Sequence, residues 1–166
     1  MHRLLTRASL SIAIVMGSLL TGGAAYAEPA PMVKVVLESI VAYDLEESGH
    51  DEIYVIAQYE GNVRQLFPTR FGELSVARND CIYISGGDGC PPGTTYRGYY
   101  GANEPSYTAN GKLLMVALRE DDISGDDTLI NVPIWPQPIS ETQYFREEAN
   151  INGYHYALNF RLEPSY

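Results

Sequence analysis

The chain is short of several things that would point quickly to a function. It has 3 histidines and 2 cysteines in 166 residues, so a zinc site built from several His and Cys side chains lacks its material. Basic residues are scarce: 11 Lys and Arg stand against 21 Asp and Glu, a formal charge of −10. A nucleic-acid binder needs a basic face, and this balance excludes one. Past residue 27 no apolar run reaches the roughly 20 residues that a membrane-spanning helix requires. Gly and Pro, at 15 and 10, are too few and too irregular for a collagen-like or low-complexity chain. What is abundant is tyrosine, 13 copies against 4 Phe and 1 Trp. With Val and Ile it leans the composition toward β-structure. The length suits one globular domain rather than two.

Met1 to Ala27 has the layout of a bacterial secretory signal peptide. Arg3 and Arg7 give a positive start, Leu10 to Leu20 an apolar centre, and Ala25-Tyr26-Ala27 a small-residue cleavage site. Gly17, Ser18, Thr21, Gly22 and Gly23 make the same stretch a poor membrane anchor. The expectation is a secreted or periplasmic chain. A stiff leader, residues 28–32, follows, and a single domain over 33–166. Cleavage would remove two arginines and no acid, leaving the remainder more negative still.

Along that domain the periodicity is that of strands. Val33, Val35 and Leu37 alternate, and the run continues through Ile40 and Val41. Ile53–Tyr59, Cys81–Ser85 and Thr128–Ile134 read as further strands, with Pro133 confining the last to an edge or a bulge. Lys112–Leu118 follows Asn110-Gly111, and Tyr154–Leu162 follows Asn152-Gly153; both dipeptides are hairpin signals. Tyr96–Tyr107 holds Gly98, Gly101 and Pro105 and reads as an irregular or edge segment. Ser140–Ala149 is expected to be a short helix with Ser140 as its N-cap. The sum is an all-β, antiparallel β-sandwich of about seven or eight strands with at most one short helix.

Two loops carry ten of the 21 acidic residues. Asp44, Glu46, Glu47, Asp51 and Glu52 fall in one stretch, and Glu120, Asp121, Asp122, Asp126 and Asp127 in another. Neither contains a Lys or Arg, and each lies between two strands with a Ser-Gly pair inside it. Carboxylates that all face water cost little. Carboxylates that converge repel one another unless a hard cation takes them as ligands, and calcium wants six to eight oxygens.

At these residues the chain resembles the C2 domains, a family of calcium-dependent β-sandwiches. Gly49-His50-Asp51-Glu52-Ile53-Tyr54-Val55 looks like the end of that family's first calcium loop, with Ile40–Asp44 as the strand before it. Leu114, Val116, Leu118, Glu120 and Asp122 alternate into Asp127-Thr128-Leu129-Ile130, which is similar to the second. Gly153–Leu162 resembles the closing strand. There are departures. Glu52 stands in place of the usual Pro, Glu120 in place of Asp, and Asn131 in place of the loop-closing Gly, and the second loop is one residue short. The resemblance implies a C2-like sandwich that is not an enzyme and that binds a protein, glycan or membrane surface. It implies calcium held by Asp44, Asp51, Glu120, Asp122 and Asp127, with Asp121 and Asp126 at the opposite parity. Leu45 and Ile123 would be the loop tips that meet a membrane.

Three features stand outside the resemblance. Cys81 and Cys90 are an even pair, expected to form a disulfide after export. Tyr96, Tyr99, Tyr100 and Tyr107 form a tyrosine-rich stretch suited to stacking on sugars or anchoring a partner. This leaves two alternatives: an accessory protein that binds polysaccharide or cell wall, or a small secreted inhibitor or immunity-type protein. Catalysis has little support. Ser85-Gly86-Gly87 lacks the G-x-S-x-G elbow of serine hydrolases. The carboxylates cluster together rather than sitting at separate strand ends among aromatics, as a glycosidase pair would.

Overall fold

A computed structural model of the chain describes residues 32–69, 72–85, 89–98, 104–121, 127–151 and 153–165. The signal peptide, Ile123, Asp122, Asp126, Tyr99 and Tyr100 lie outside these residues. Among the described residues, eleven strands form two sheets. They are β1 (Met32–Asp44), β2 (Asp51–Tyr59), β3 (Asn62–Phe67), β4 (Leu74–Val76), β5 (Asp80–Tyr83), β6 (Thr95–Arg97), β7 (Ser106–Ala109), β8 (Leu114–Glu120), β9 (Asp127–Ile134), β10 (Gln143–Ile151) and β11 (Tyr154–Ser165).

The sheets are organised alike. In the first, β1 pairs along its length with β11, while its other flank is shared between β7 and β5. The order is β10-β11-β1-β5-β6 with β7 attached to β1, and only β5–β6 is parallel. In the second, β2 pairs with β8, while its other flank is shared between β4 and β3. That order is β3-β2-β8-β9.

The core lies between them, and the central strands of the second sheet contribute every second residue. Ile53, Val55, Ala57 and Tyr59 point in from β2, and Leu114, Val116 and Leu118 from β8. Strand β1 changes parity: Val35 and Leu37 face the core, then Ile40 and Ala42. A bulge at Glu38, where the register with β11 shifts, absorbs the extra residue. This explains why the apolar run in the sequence does not keep a clean alternation.

Three expectations need correction. Residues 143–151 form β10, which takes up most of the expected helix Ser140–Ala149 and pairs with β11 from Gln143–Leu162 to Ile151–Tyr154. Phe145 and Ala149 pack on the core from that strand, and Phe145 stacks on Phe160 at 4.9 Å. Tertiary pairing therefore overrides the helix-forming residues Arg146–Ala149. Asn110-Gly111 closes no hairpin. It carries the chain from β7 in one sheet to β8 in the other, with Gly111 at φ +65°. Finally, there are more strands than about seven or eight, because β3, β4 and β10 lack the clear alternation that marks a strand. The hairpin into β3 turns on Glu60 (φ +49°) and Gly61 (φ +80°), the left-handed pair that a tight hairpin demands. Glutamate is not a residue whose presence announces that conformation.

Candidate functional site

The described parts of the two acidic stretches meet at one end of the sandwich. The end of β1, the start of β2 and the end of β8 all lie there, and the Asp121 N–H donates to the Glu52 carbonyl at 2.9 Å. Asp51 continues the inward parity of Ile53 and Val55, and Glu120 that of Val116 and Leu118. Tyr156 of β11 faces them from the other sheet. A polar layer thus caps the apolar core. Asp51 and Tyr156 are 0% exposed and Glu120 is 1% exposed.

Asp51 is fully engaged. Its Oδ2 accepts from the Glu46 N–H at 2.9 Å, and its Oδ1 from the Glu47 N–H at 3.1 Å. The Tyr156 hydroxyl donates to Oδ2 as well. Burial first, and then the Asp51 carboxylate, push the Tyr156 phenol well above its ordinary range, so it stays a donor. Asp51 therefore shapes the 45–50 loop from below.

Glu120 has the opposite situation. Both of its carboxylate oxygens are buried with, among the described residues, no N–H or cation on either, and the side chain within hydrogen-bonding reach is another carboxylate, Glu46. Burial is the largest influence on its acidity, followed by Glu46, Asp51 and Glu47, and together they push its pKa up to about 8. Every one of these neighbours is an acid. An uncompensated buried carboxylate must take up a proton or a cation.

The remaining expected ligands are placed less centrally. Asp127 pairs across the sheet with Glu120 and is exposed at the rim. Asp44 turns its Oδ1 to Arg78, at 2.6 Å, and accepts from the Leu45 N–H. Among the described residues no three His, Cys, Asp or Glu side chains are grouped to hold a metal ion. The chemistry of the donors nonetheless suits a hard cation: all are carboxylates, no thiol or imidazole is central, and Glu120 has unused acceptor capacity. Sequence reasoning finds Glu120 through its parity with Leu118. It misses Tyr156 as the partner of Asp51, although the alternation of Tyr154, Tyr156 and Leu158 places that ring on the inner face. Leu45, expected at a membrane-facing tip, is 5% exposed and belongs to the core.

Cys81 and Cys90 form the expected disulfide. Gly89 in that loop lies on the outer face of the first sheet, where its carbonyl accepts from Ser39 and Asn159. The two described tyrosines of that stretch, Tyr96 and Tyr107, do not share a surface. Tyr96 lies beside Tyr83 on the outer face, with ring centroids 5.7 Å apart, whereas Tyr107 packs on Tyr59 toward the core. His155 lies against Tyr43, the rings tilted with centroids 4.5 Å apart, and meets Glu148.

No protein-family model matches the chain, and no curated protein is similar to it in sequence. Solved structures are similar in fold, among them two that hold C2 domains. One holds a pair of C2 domains of Extended-Synaptotagmin 2, at 14% identity and a TM-score of 0.45, over 98% of this chain and 48% of that one. The chain thus spans about half of that structure's length. The other is a C2 domain, at 12% identity and a TM-score of 0.44, over 82% of this chain and 99% of that one. Identity this low does not say which side chains bind what.

Proposed function

We propose that the chain is a non-catalytic, secreted binding module whose acidic end takes up calcium and presents it, with the surrounding loops, to a protein, glycan or membrane surface. One observation carries this reading: Glu120 is buried among acids, with Glu46 the side chain in reach and, among the described residues, no N–H or cation on either oxygen. Glu120, Glu46 and Asp127 would hold the ion, with Asp122 as a further donor, and Asp51 would keep the loop in place beneath it. Asp44 would join only on leaving Arg78. The ion would supply positive charge at Glu120, since Arg78 reaches Asp44 instead. Mutual repulsion of the carboxylates then becomes attraction to a shared centre, and anionic groups of a partner gain a bridge to an acidic protein.

Extracellular sites of this kind work at dissociation constants of about 10⁻⁴–10⁻³ M. At a hundredfold excess over that constant, calcium would stabilise the fold by about 2.7 kcal/mol. Thermal melting with and without calcium tests the proposal. The melting temperature should rise with calcium in the native protein and stay level in Glu120→Gln. A native protein that melts identically with calcium, magnesium or neither contradicts it.

A further inference from the structure

The outer faces of the two sheets differ. On the first sheet, Val41, Cys81 and Ala157 point outward yet are 0% exposed, beside the disulfide loop and flanked by an ion-pair network. The second sheet has an open apolar centre. Ile56 and Met115 point out from β2 and β8, Val63 lies opposite Gln58 with 58% of its surface exposed, and Pro133 lies opposite Met115. Trp135, the one tryptophan of the chain, follows β9 at the position that continues the outward parity of Pro133, and it is 61% exposed. Among the described residues, the single formal charge along the outward rows from Tyr54 to Trp135 is Arg119, which pairs with Thr128 across the sheet.

We infer that this face is where a second copy of the chain docks, the two five-stranded sheets stacking with their strands antiparallel. The placement of charge selects this occupant. The described carboxylates of the two acidic stretches belong to one end of the sandwich, and the face between the ends is nearly neutral. Antiparallel stacking sends the two acidic ends to opposite extremes. The seven-residue β8 sets that separation at about 24 Å, more than twice the screening length of about 8–10 Å. The same operation lays Trp135 of each copy over the Thr128 end of its partner's β9, so the two exposed rings are buried together by symmetry.

Four strands about 4.8 Å apart and about 24 Å long give a footprint of about 450 Å² per copy. A stable interface uses about 800 Å² per partner. The dimer is therefore weak and governed by concentration, which agrees with the face being neutral rather than strongly hydrophobic.

Sedimentation velocity between about 5 and about 500 μM brackets an interface of this size. The sedimentation coefficient should climb toward the dimer value, and the emission of Trp135 should shift to the blue over the same range. Trp135→Ser and Met115→Lys should each hold the protein at the monomer value while far-UV circular dichroism stays native. Tyr144→Ser, which alters an exposed residue of β10, should dimerise like the parent. A monomer with unchanged emission at the highest concentration overturns the inference, as does a dimer that survives both face variants. Emission that responds only to an added neutral polysaccharide or an unrelated protein also overturns it, giving the face to a foreign ligand.

Discussion

Glu38 and Glu120 are both nearly withdrawn from water, at 4% and 1% exposure, but the fold treats them differently. Glu38 stands at the bulge of β1, where Arg161 donates to it at 2.6 Å. Arg161 also reaches Glu104 at 2.6 Å and Glu163 at 2.8 Å, and Lys34 joins the same two acids. Burial raises the pKa of Glu38, and Arg161 opposes the rise. At Glu120 burial raises the pKa too, and the neighbouring acids push the same way. One region offsets desolvation with an internal cation. The other, among the described residues, supplies none to Glu120.

That contrast can be broken most strongly from the Glu38 side. Arg161→Ala strips a buried carboxylate of its cation and should destabilise the fold by about 3–5 kcal/mol in urea denaturation. Glu120→Gln, which removes the uncompensated charge, should instead stabilise the calcium-free protein at pH 8. A destabilisation of similar size at both positions would erase the difference between them. Opening the Cys81–Cys90 loop beside the Glu38 sheet by the double serine substitution should cost about 2–3 kcal/mol, with the calcium response intact. Tyr156→Phe withdraws one donor from buried Asp51 and should cost about 1–3 kcal/mol, read by thermal melting, while loosening the 45–50 loop.

Acidity sharpens the comparison with a smaller slope. The pKa of Glu120 in the fold is about 8 against an ordinary 4.5, so between these values the folded state holds a proton that the unfolded chain has lost. Its contribution is fully present below pH 4.5 and is lost as pH rises toward 8. The slope is at most about 1.4 kcal/mol per pH unit. Glu120→Gln should remove that slope, and saturating calcium should flatten it, since the ion displaces the proton. Glu148 works in another window: His155 first, and then Arg146, hold its carboxyl below the usual range, so its contribution fades only as pH falls below 4.5.

The legibility of the molecule in its sequence follows the same physics. Alternation of Ile53, Val55 and Ala57, and of Leu114, Val116 and Leu118, exposes the two central strands of the second sheet, because strands buried on one face must alternate. Carrying that parity one step past Leu118 finds Glu120. The β10 strand is hidden because Arg146, Glu147 and Glu148 suit an exposed strand edge and an exposed helix equally well. Pairing with β11 decides between them, and pairing is not written locally. Arg78 as the partner of Asp44, and Arg161 as the partner of Glu38, join residues far apart in the chain and leave no mark in spacing.

Isothermal titration of calcium into the native protein and into Glu120→Gln, at pH 7.5 and moderate salt, tests the role of the acidic end most directly. Saturable heat in the native protein, with a dissociation constant of about 10⁻⁴–10⁻³ M, and none in the variant is the predicted result. Equal titrations for both proteins, or no heat from either, would contradict the assignment of Glu120 to the ion.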